Sequence, residues 1–148
     1  MGLTDALEGT RVYLDANVFI YALEGFPQYA PILGELFDAF DAGLLQSATS
    51  ELTVAEVLVK PFVDDNAELQ ATYEDALQNS SSLEIIPVSR QILIDAARLR
   101  ATSESLRLPD AIHIATARGA GCRNLVTNDK RIRSLPEIHI LQLADFIL

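Results

Sequence analysis

The sequence contains only one cysteine, Cys122, among its 148 residues. This count excludes an internal disulfide and a zinc site built from several cysteines. The first ten residues are acidic and include no apolar segment typical of a secretion signal, so we expect no signal peptide. No apolar run approaches the length of a membrane span. These absences predict a cytoplasmic protein with no membrane partner.

Basic residues are also scarce, because 11 Lys and Arg face 21 Asp and Glu and leave a formal net charge of −10. This balance argues against nucleic-acid binding by charge alone. Residues 1–89 hold 15 acids and 2 bases, whereas residues 90–148 hold 6 acids and 9 bases. Five bases surround segment 108–129, namely Arg118, Arg123, Lys130, Arg131 and Arg133. A phosphate-bearing ligand would be steered there if anywhere, although charge alone favours a solvated helix end and loop.

Short apolar segments with β-type composition alternate with helical segments along the chain. Strands are predicted over residues 11–14, 44–48, 83–88 and 125–127, with a fifth candidate over 138–141. Helices are predicted over residues 18–24, 29–40, 50–59 (breaking near Pro61), 67–78, 89–101 and 109–118, with a short one at the end. Strands separated by such helices indicate βαβ units and a parallel sheet. The sequence therefore predicts a single α/β domain over residues 1–148, a three-layer α/β/α sandwich around a parallel sheet of four or five strands whose first strand is central.

Three acids lie where strands end or a helix begins. Asp15 follows the first strand and Asp129 follows the fourth, so both belong to the carboxyl edge of a parallel sheet, where such folds bind ligands. Asp110 opens a helix whose N-terminus faces the same edge. Each acid also has a simple structural interpretation: Asp15 as an acceptor for a loop N–H, Asp110 as a helix-start acid, and Asp129 as part of a polar turn.

Glu56 is a fourth candidate because it interrupts a partly apolar helix face. Leu52 precedes it by four residues and Val59 follows it by three, so its carboxylate is expected to be partly buried. A buried carboxylate is costly unless it is paired or bound to a metal. The alternative is a capping box from Thr53 to Glu56, which requires a helix that starts at Thr53, whereas Ser50 is the better N-cap.

Several carboxylates at one edge would repel one another. At about 4 Å and an effective dielectric near 20, each pair costs roughly 4 kcal/mol. Raised pKa values or a bound cation would relieve this repulsion. With no cysteine cluster and only two histidines, His113 and His139, the ligands would be mainly oxygen atoms, which suit Mg²⁺ or Mn²⁺. Such ions commonly support the hydrolysis of phosphodiester bonds.

Four segments of the chain resemble, in order, the signature blocks of PIN-domain ribonucleases. These segments are YLDANVFIYALE, TVAEVLVKP, LPDAIHIATA and LVTNDKRI. The chain is most similar to the small VapC-type toxins of toxin–antitoxin pairs. The likeness runs from about residue 11 to residue 129. No single block is specific, but four blocks in this order and at these spacings are.

The resemblance implies a PIN-like α/β/α fold and an endoribonuclease that depends on Mg²⁺ or Mn²⁺. The residues that it assigns to metal binding and catalysis are Asp15, Glu56, Asp110 and Asp129. The accessory positions, which order ligands and waters, are Asn17, Thr127 and Asn128.

Three further residues near these blocks have weaker interpretations. Lys130 and Arg131 are candidates for contacts with RNA phosphates. His113 lies one helical turn after Asp110 and could reach the margin of the site. A surface or packing role is expected for His113 in preference to a proton shuttle.

The resemblance also implies partners, because toxins of this family often form homodimers and are held inactive by a protein antitoxin. We therefore expect an RNA substrate, an antitoxin and a homodimer. The strong negative charge departs from what RNA binding favours. Two other functions stay open: an Asp-nucleophile phosphohydrolase, although Asn17 stands where that class has a second Asp, and a non-catalytic PIN-like binding module, although all four acids are present.

Overall fold

A computed structural model describes residues 2–7, 9–133 and 135–147. Within these residues the strands are β1 (Arg11–Leu14), β2 (Gln46–Ser50), β3 (Leu83–Ile86), β4 (Asn124–Thr127) and β5 (His139–Gln142). They form one sheet in the order β3-β2-β1-β4-β5, and every neighbouring pair is parallel. The predicted parallel sheet is confirmed, with β1 at its centre and the fifth strand present.

Helices connect the strands and cover both faces of the sheet. They are α1 (Leu3–Ala6), α2 (Ala16–Leu23), α3 (Ala30–Asp41), α4 (Glu51–Val63), α5 (Ala67–Ala76), α6 (Arg90–Thr102) and α7 (Leu108–Gly119), and a final 3₁₀ helix spans Leu143–Phe146. In the described ranges, none of these helices is both long and apolar enough to cross a membrane.

The central strand shows how the two layers of helices are held. Val12 and Leu14 of β1 are buried in the larger core cluster, together with residues of α1 to α5. Tyr13 is buried in a separate cluster with residues of α7 and β4, and α6 packs against α7 in a third. Successive side chains of a strand point to opposite faces, so the sheet is buried on both sides. The expected three-layer α/β/α sandwich is confirmed.

The second strand begins two residues later than expected. Gly43 adopts a left-handed conformation, with φ of 76°, and the Leu44 N–H bonds back to the Ala39 carbonyl at 2.9 Å. This is the usual way in which a glycine ends a helix. Leu44 therefore belongs to the turn that follows α3, where it is 74% exposed, and the strand starts at Gln46.

The fourth helix differs from expectation at its end but not at its start. Ser50 caps α4, because its Oγ accepts a hydrogen bond from the Leu52 N–H at 3.0 Å. The capping-box interpretation of Thr53 and Glu56 is therefore wrong, since it needs a later start. The predicted break near Pro61 is also wrong, because α4 continues to Val63. Pro61 lies in the last turn, where the missing N–H removes one helical hydrogen bond only.

Candidate metal centre at the carboxyl edge of the sheet

Asp15 lies directly after β1 and caps the start of α2. Its backbone N–H bonds to the Val126 carbonyl of β4 at 3.0 Å, which ties it to the sheet. Its Oδ1 accepts from the Ala16 N–H at 2.8 Å, and its Oδ2 accepts from the Thr127 hydroxyl at 2.7 Å. The residue is only 7% exposed. Asp15 is therefore a buried carboxylate with a fixed orientation at the carboxyl edge.

Burial raises the pKa of Asp15 above the ordinary value for an aspartate. Nearby His113 and the hydrogen bonds from Thr127 and Ala16 act in the opposite direction, but they do not outweigh the loss of solvation. The charged form is thus less favourable here than in water. A bound cation would offset this cost.

His113 lies between Glu56 of α4 and Asp15 and contacts both carboxylates. The His113 Nε2 lies 2.5 Å from Glu56 Oε1 and 3.6 Å from Asp15 Oδ1. One ligand atom from each of the three residues lies within 4.8 Å of the other two. The structure therefore brings two of the four predicted acids into one group, with a histidine as its third member.

His113 is one of the most deeply buried polar residues of the described chain, at 1% exposure. Its Nδ1 lies 2.6 Å from the Tyr13 hydroxyl of β1. Burial lowers the pKa of this histidine, but the carboxylates of Glu56 and Asp15 outweigh burial and raise it. The histidine is thus not a surface residue. The available sequence signal was its position one turn after Asp110 in a segment rich in apolar residues, and the structure shows residues 110–117 to be buried.

Asp110 is buried at the start of α7, at 4% exposure. Its Oδ2 accepts from the backbone N–H of Arg107 at 3.1 Å, so it does cap the helix, as the simple interpretation expects. The Arg107 guanidinium also donates to both Asp110 oxygens at 3.3 Å. The same guanidinium lies 3.5 Å from Asp129 Oδ2. Arg107 thus links Asp110 with Asp129, and neither acid belongs to the group of Asp15, Glu56 and His113.

Asp129 pairs mainly with Arg131. The guanidinium of Arg131 donates to its two carboxylate oxygens at 3.0 and 2.8 Å, and this pairing lowers the pKa of Asp129. Its backbone N–H donates to the Thr127 hydroxyl at 3.0 Å. Because that hydroxyl donates in turn to Asp15, Thr127 connects Asp129 with the buried group.

The three predicted accessory residues have different contacts. Asn17 donates its side-chain N–H to Asp15 and to Thr127, both at 3.3 Å, and accepts from the Asn128 N–H at 3.2 Å. Thr127 bonds to Asp15 as above. The Asn128 side chain instead donates to the Tyr29 hydroxyl at 2.7 Å and accepts from the Ala144 N–H at 3.2 Å. Asn17 and Thr127 therefore orient Asp15, and the Asn128 side chain fastens the loop after β4 to its neighbours.

The basic residues of this region differ in their pairing. Arg118 pairs with Glu137 at 2.7 Å and Arg131 with Asp129, so both guanidinium groups have carboxylate partners. Lys130, the residue before Arg131, is exposed, whereas Arg118 lies at the opposite end of α7 from Asp110. The candidates for RNA contact, Lys130 and Arg131, thus lie next to the acidic centre, and Arg131 is partly neutralised by it.

The donor set of the buried group fits a divalent cation. Asp15 and Glu56 offer carboxylate oxygens, which suit Mg²⁺ and Mn²⁺, and the imidazole of His113 is a nitrogen donor that suits Mn²⁺ better than Mg²⁺. Asp110 and Asp129 already face positive charge from Arg107 and Arg131. They would join an ion only if these pairings rearrange.

A parallel sheet with buried acids at its carboxyl edge defines the protein as an α/β/α protein with a candidate metal centre. The family model described as the PIN domain matches residues 12–138. The chain therefore belongs to the PIN domain family, and the recognition made from its four sequence blocks is confirmed. A comparison with curated proteins finds no match to this sequence.

Several solved structures share the fold. VapBC2 from Rickettsia felis, bound to a DNA fragment from its promoter, matches with a TM-score of 0.69 at 20% identity and covers 89% of this chain and 98% of that chain. A toxin–antitoxin complex from Klebsiella pneumoniae matches at 0.65 with 27% identity, over 89% and 97%. VapC20 from Mycobacterium tuberculosis, a toxin that cleaves the sarcin–ricin loop, matches at 0.64 with 13% identity, over 77% and 86%.

Proposed function

We propose that this chain is a Mg²⁺- or Mn²⁺-dependent endoribonuclease and the toxin of a toxin–antitoxin pair. The observation that carries the proposal is the group of Asp15, Glu56 and His113 at the carboxyl edge of a PIN-domain sheet. Asp110 and Asp129 lie beside this group, joined to each other by Arg107. The four acids are those that the PIN-domain resemblance assigns to catalysis.

The residues have separate tasks in this proposal. Asp15 and Glu56 would hold the ion, and Asp110 and Asp129 would complete the acidic environment. A bound divalent ion would supply the positive charge that stabilises developing negative charge on the phosphate oxygens. Asn17 and Thr127 keep Asp15 in one orientation. Arg107, Lys130 and Arg131 supply positive charge where the RNA backbone would arrive.

We also propose a protein antitoxin as the partner and a homodimer as the assembly. Support for the antitoxin comes from the similar structures, of which one is a toxin–antitoxin complex and another a member of the VapBC family of toxin–antitoxin systems. The acidic half of the chain, residues 1–89, disfavours RNA away from the site. It would attract a basic segment of an antitoxin. A small neighbouring gene that encodes a DNA-binding N-terminus would support this pairing.

The second candidate function is a binding module that does not cleave RNA. The pairing of Asp110 with Arg107 and of Asp129 with Arg131 favours it, because both acids already have a cation. A module of this kind would bind RNA but would not cut it, whichever divalent metal ion is added. An Asp-nucleophile phosphohydrolase differs again, since it would form a covalent aspartyl-phosphate at Asp15.

The first test is cleavage of structured RNA by purified protein freed of any partner. We expect cutting with Mn²⁺ or Mg²⁺ and none with EDTA. Asp110→Asn should lower the rate by at least about 100-fold, since even residues that only support metal ligands contribute 10- to 100-fold. Asp75→Asn, which changes an exposed acid of α5, is the matched control and should cut normally. Equal cutting by Asp110→Asn and wild type would show that the assigned site is wrong.

A further inference from the structure

His113 joins three elements of the fold at the candidate site. It projects from α7, its Nδ1 contacts the hydroxyl of Tyr13 in β1, and its Nε2 contacts Glu56 in α4. Tyr13 and His113 are almost completely buried, and their rings meet edge to face at 5.8 Å between centroids. The imidazole is therefore held from one side by a buried phenol and meets a carboxylate on the other.

Glu56 depends on this contact more than Asp15 does. Three hydrogen bonds hold the Asp15 carboxylate, from Ala16, Asn17 and Thr127. The Glu56 side chain is longer and 32% exposed, and in the described residues its hydrogen-bond partner is His113. A long side chain loses more rotamer entropy when it is fixed. A partner that already fixes Glu56 before the ion arrives means that ion binding does not have to supply this loss of rotamer entropy.

The Glu56 carboxylate favours the form of the imidazole that carries a proton on Nε2, because an ionised carboxylate can only accept a hydrogen bond. When the ring is neutral, the hydroxyl donates to Nδ1 and the single ring proton stays on Nε2. When the ring is charged, Nδ1–H donates to the hydroxyl oxygen and Nε2 still carries a proton. A hydroxyl can either donate or accept, so Tyr13 remains a partner of Nδ1 in both states while the Nε2–H faces Glu56.

We propose that His113 is a positioning residue: anchored by Tyr13, it uses its Nε2–H to hold Glu56 beside Asp15 in the geometry that binds the cation. The inference rests on the proposed metal-dependent function and assigns a role that the four acids do not include. His113 acts through Glu56, as partners of metal ligands commonly do. The link also fixes α4 relative to β1 and α7.

The test compares two substitutions of His113 by Mn²⁺ titration calorimetry on the metal-free full chain. His113→Leu fills the space but donates no hydrogen bond, and it should weaken Mn²⁺ binding by about 10- to 100-fold. His113→Gln places an amide N–H near the position of Nε2. Its Mn²⁺ affinity should therefore lie within about threefold of wild type, a smaller change than the 10- to 100-fold loss expected when such a partner is removed. Recovery by Gln is a result that a purely packing role would not produce.

Tyr13→Phe supplies a third measurement with the ring retained. Loss of the hydroxyl leaves Nδ1 without this partner and holds the imidazole less firmly. The Mn²⁺ affinity of Tyr13→Phe should therefore lie between those of wild type and His113→Leu. Circular dichroism of each variant checks the fold. If His113→Leu does not fold, the inference still requires near-normal binding by His113→Gln and weaker binding by Tyr13→Phe.

Three outcomes would overturn the inference. Unchanged Mn²⁺ affinity in His113→Leu would mean that Glu56 needs no partner. Equal weakening in the Gln and Leu variants would mean that the imidazole nitrogen binds the ion itself. Tighter binding in His113→Leu would mean that the imidazole competes with the ion. Asp15→Asn tests the proposed function separately: if wild type binds no Mn²⁺, or Asp15→Asn binds it as well as wild type, the metal site itself fails and the inference with it.

Discussion

At the level of single residues, Asp15 faces opposing demands from stability and from ion binding. Its carboxylate is nearly buried, and its pKa is raised mainly by lost solvation. The folded protein therefore keeps this proton to a higher pH than the unfolded chain does. The stability that the group contributes is present at low pH and is lost as the pH rises through the folded-state pKa.

This sign leads to a prediction for Asp15→Asn. The asparagine can still accept from Ala16 through its oxygen and carries no charge, while its amide N–H groups cannot accept from Asn17 and Thr127 as Oδ2 does. In EDTA at neutral pH, we expect the variant to melt above wild type, by about 2–4 °C for each kcal/mol gained. The difference should shrink as the pH falls below the folded-state pKa. Thermal melts across this pH range check both statements, and a variant that melts below wild type at neutral pH would contradict the first.

Arg107 is the converse case, because its guanidinium occupies a place that a metal ion could take beside Asp110 and Asp129. Its guanidinium contacts Asp110 and Asp129, and its side chain is 54% exposed. Arg107→Ala should therefore bind Mn²⁺ more tightly, by up to about fivefold, since a pair of this exposure contributes up to about 1 kcal/mol. RNA binding should weaken in the same variant, because a positive charge beside the site is lost.

The control for this prediction is Arg100→Ala, which removes an exposed arginine from α6. It should leave the Mn²⁺ affinity unchanged. Titration calorimetry measures the ion, and filter binding to RNA measures the second effect. Weaker Mn²⁺ binding by Arg107→Ala would show that the arginine supports the site instead of competing for it.

At the level of elements, two helix-capping serines can be compared to distinguish an effect on the stability of the fold from an effect on the geometry of the candidate site. Ser50 caps α4, which carries Glu56, and Ser89 caps α6, with its Oγ 3.2 Å from the Ile92 N–H. Ser50→Ala and Ser89→Ala should each lower the free energy of unfolding by about 1 kcal/mol. Only Ser50→Ala should also weaken Mn²⁺ binding, because it loosens the start of the helix that positions Glu56. Urea unfolding and Mn²⁺ titration of both variants measure the two effects. Equal Mn²⁺ affinity in both would mean that the cap of α4 does not influence the site.

At the level of the whole molecule, the candidate site couples ion binding to stability. An ion that binds only the folded state stabilises it, by about 2.7 kcal/mol when its concentration is 100 times the dissociation constant. We expect Mn²⁺ to raise the melting temperature of the wild type and EDTA to reverse the change. Asp75→Asn should respond as wild type does. An unchanged melting temperature at millimolar Mn²⁺ would count against a metal site.

Much of the fold could be predicted from the sequence, because local signals carry it. The apolar run of residues 11–14 and the helix periodicity of residues 29–40 indicated β1 and α3, and Ser89 indicated the start of α6. The errors arose where neighbouring residues interact. Leu44 has the composition of a strand residue, but the left-handed Gly43 places it in the turn that ends α3. Pro61 usually marks a helix end, yet the last turn of α4 tolerates it.

The sequence by itself determined which acids lie at the carboxyl edge of the sheet, because Asp15 and Asp129 follow parallel strands and strand ends share an edge. It could not determine their partners. The contacts of His113 join it to residues 100 and 57 positions away, and those of Arg107 reach 22 positions. Such distances depend on how the helices pack on the sheet, and no local pattern encodes them. Only the tertiary structure therefore separated the group of Asp15, Glu56 and His113 from two acids that already pair with arginines.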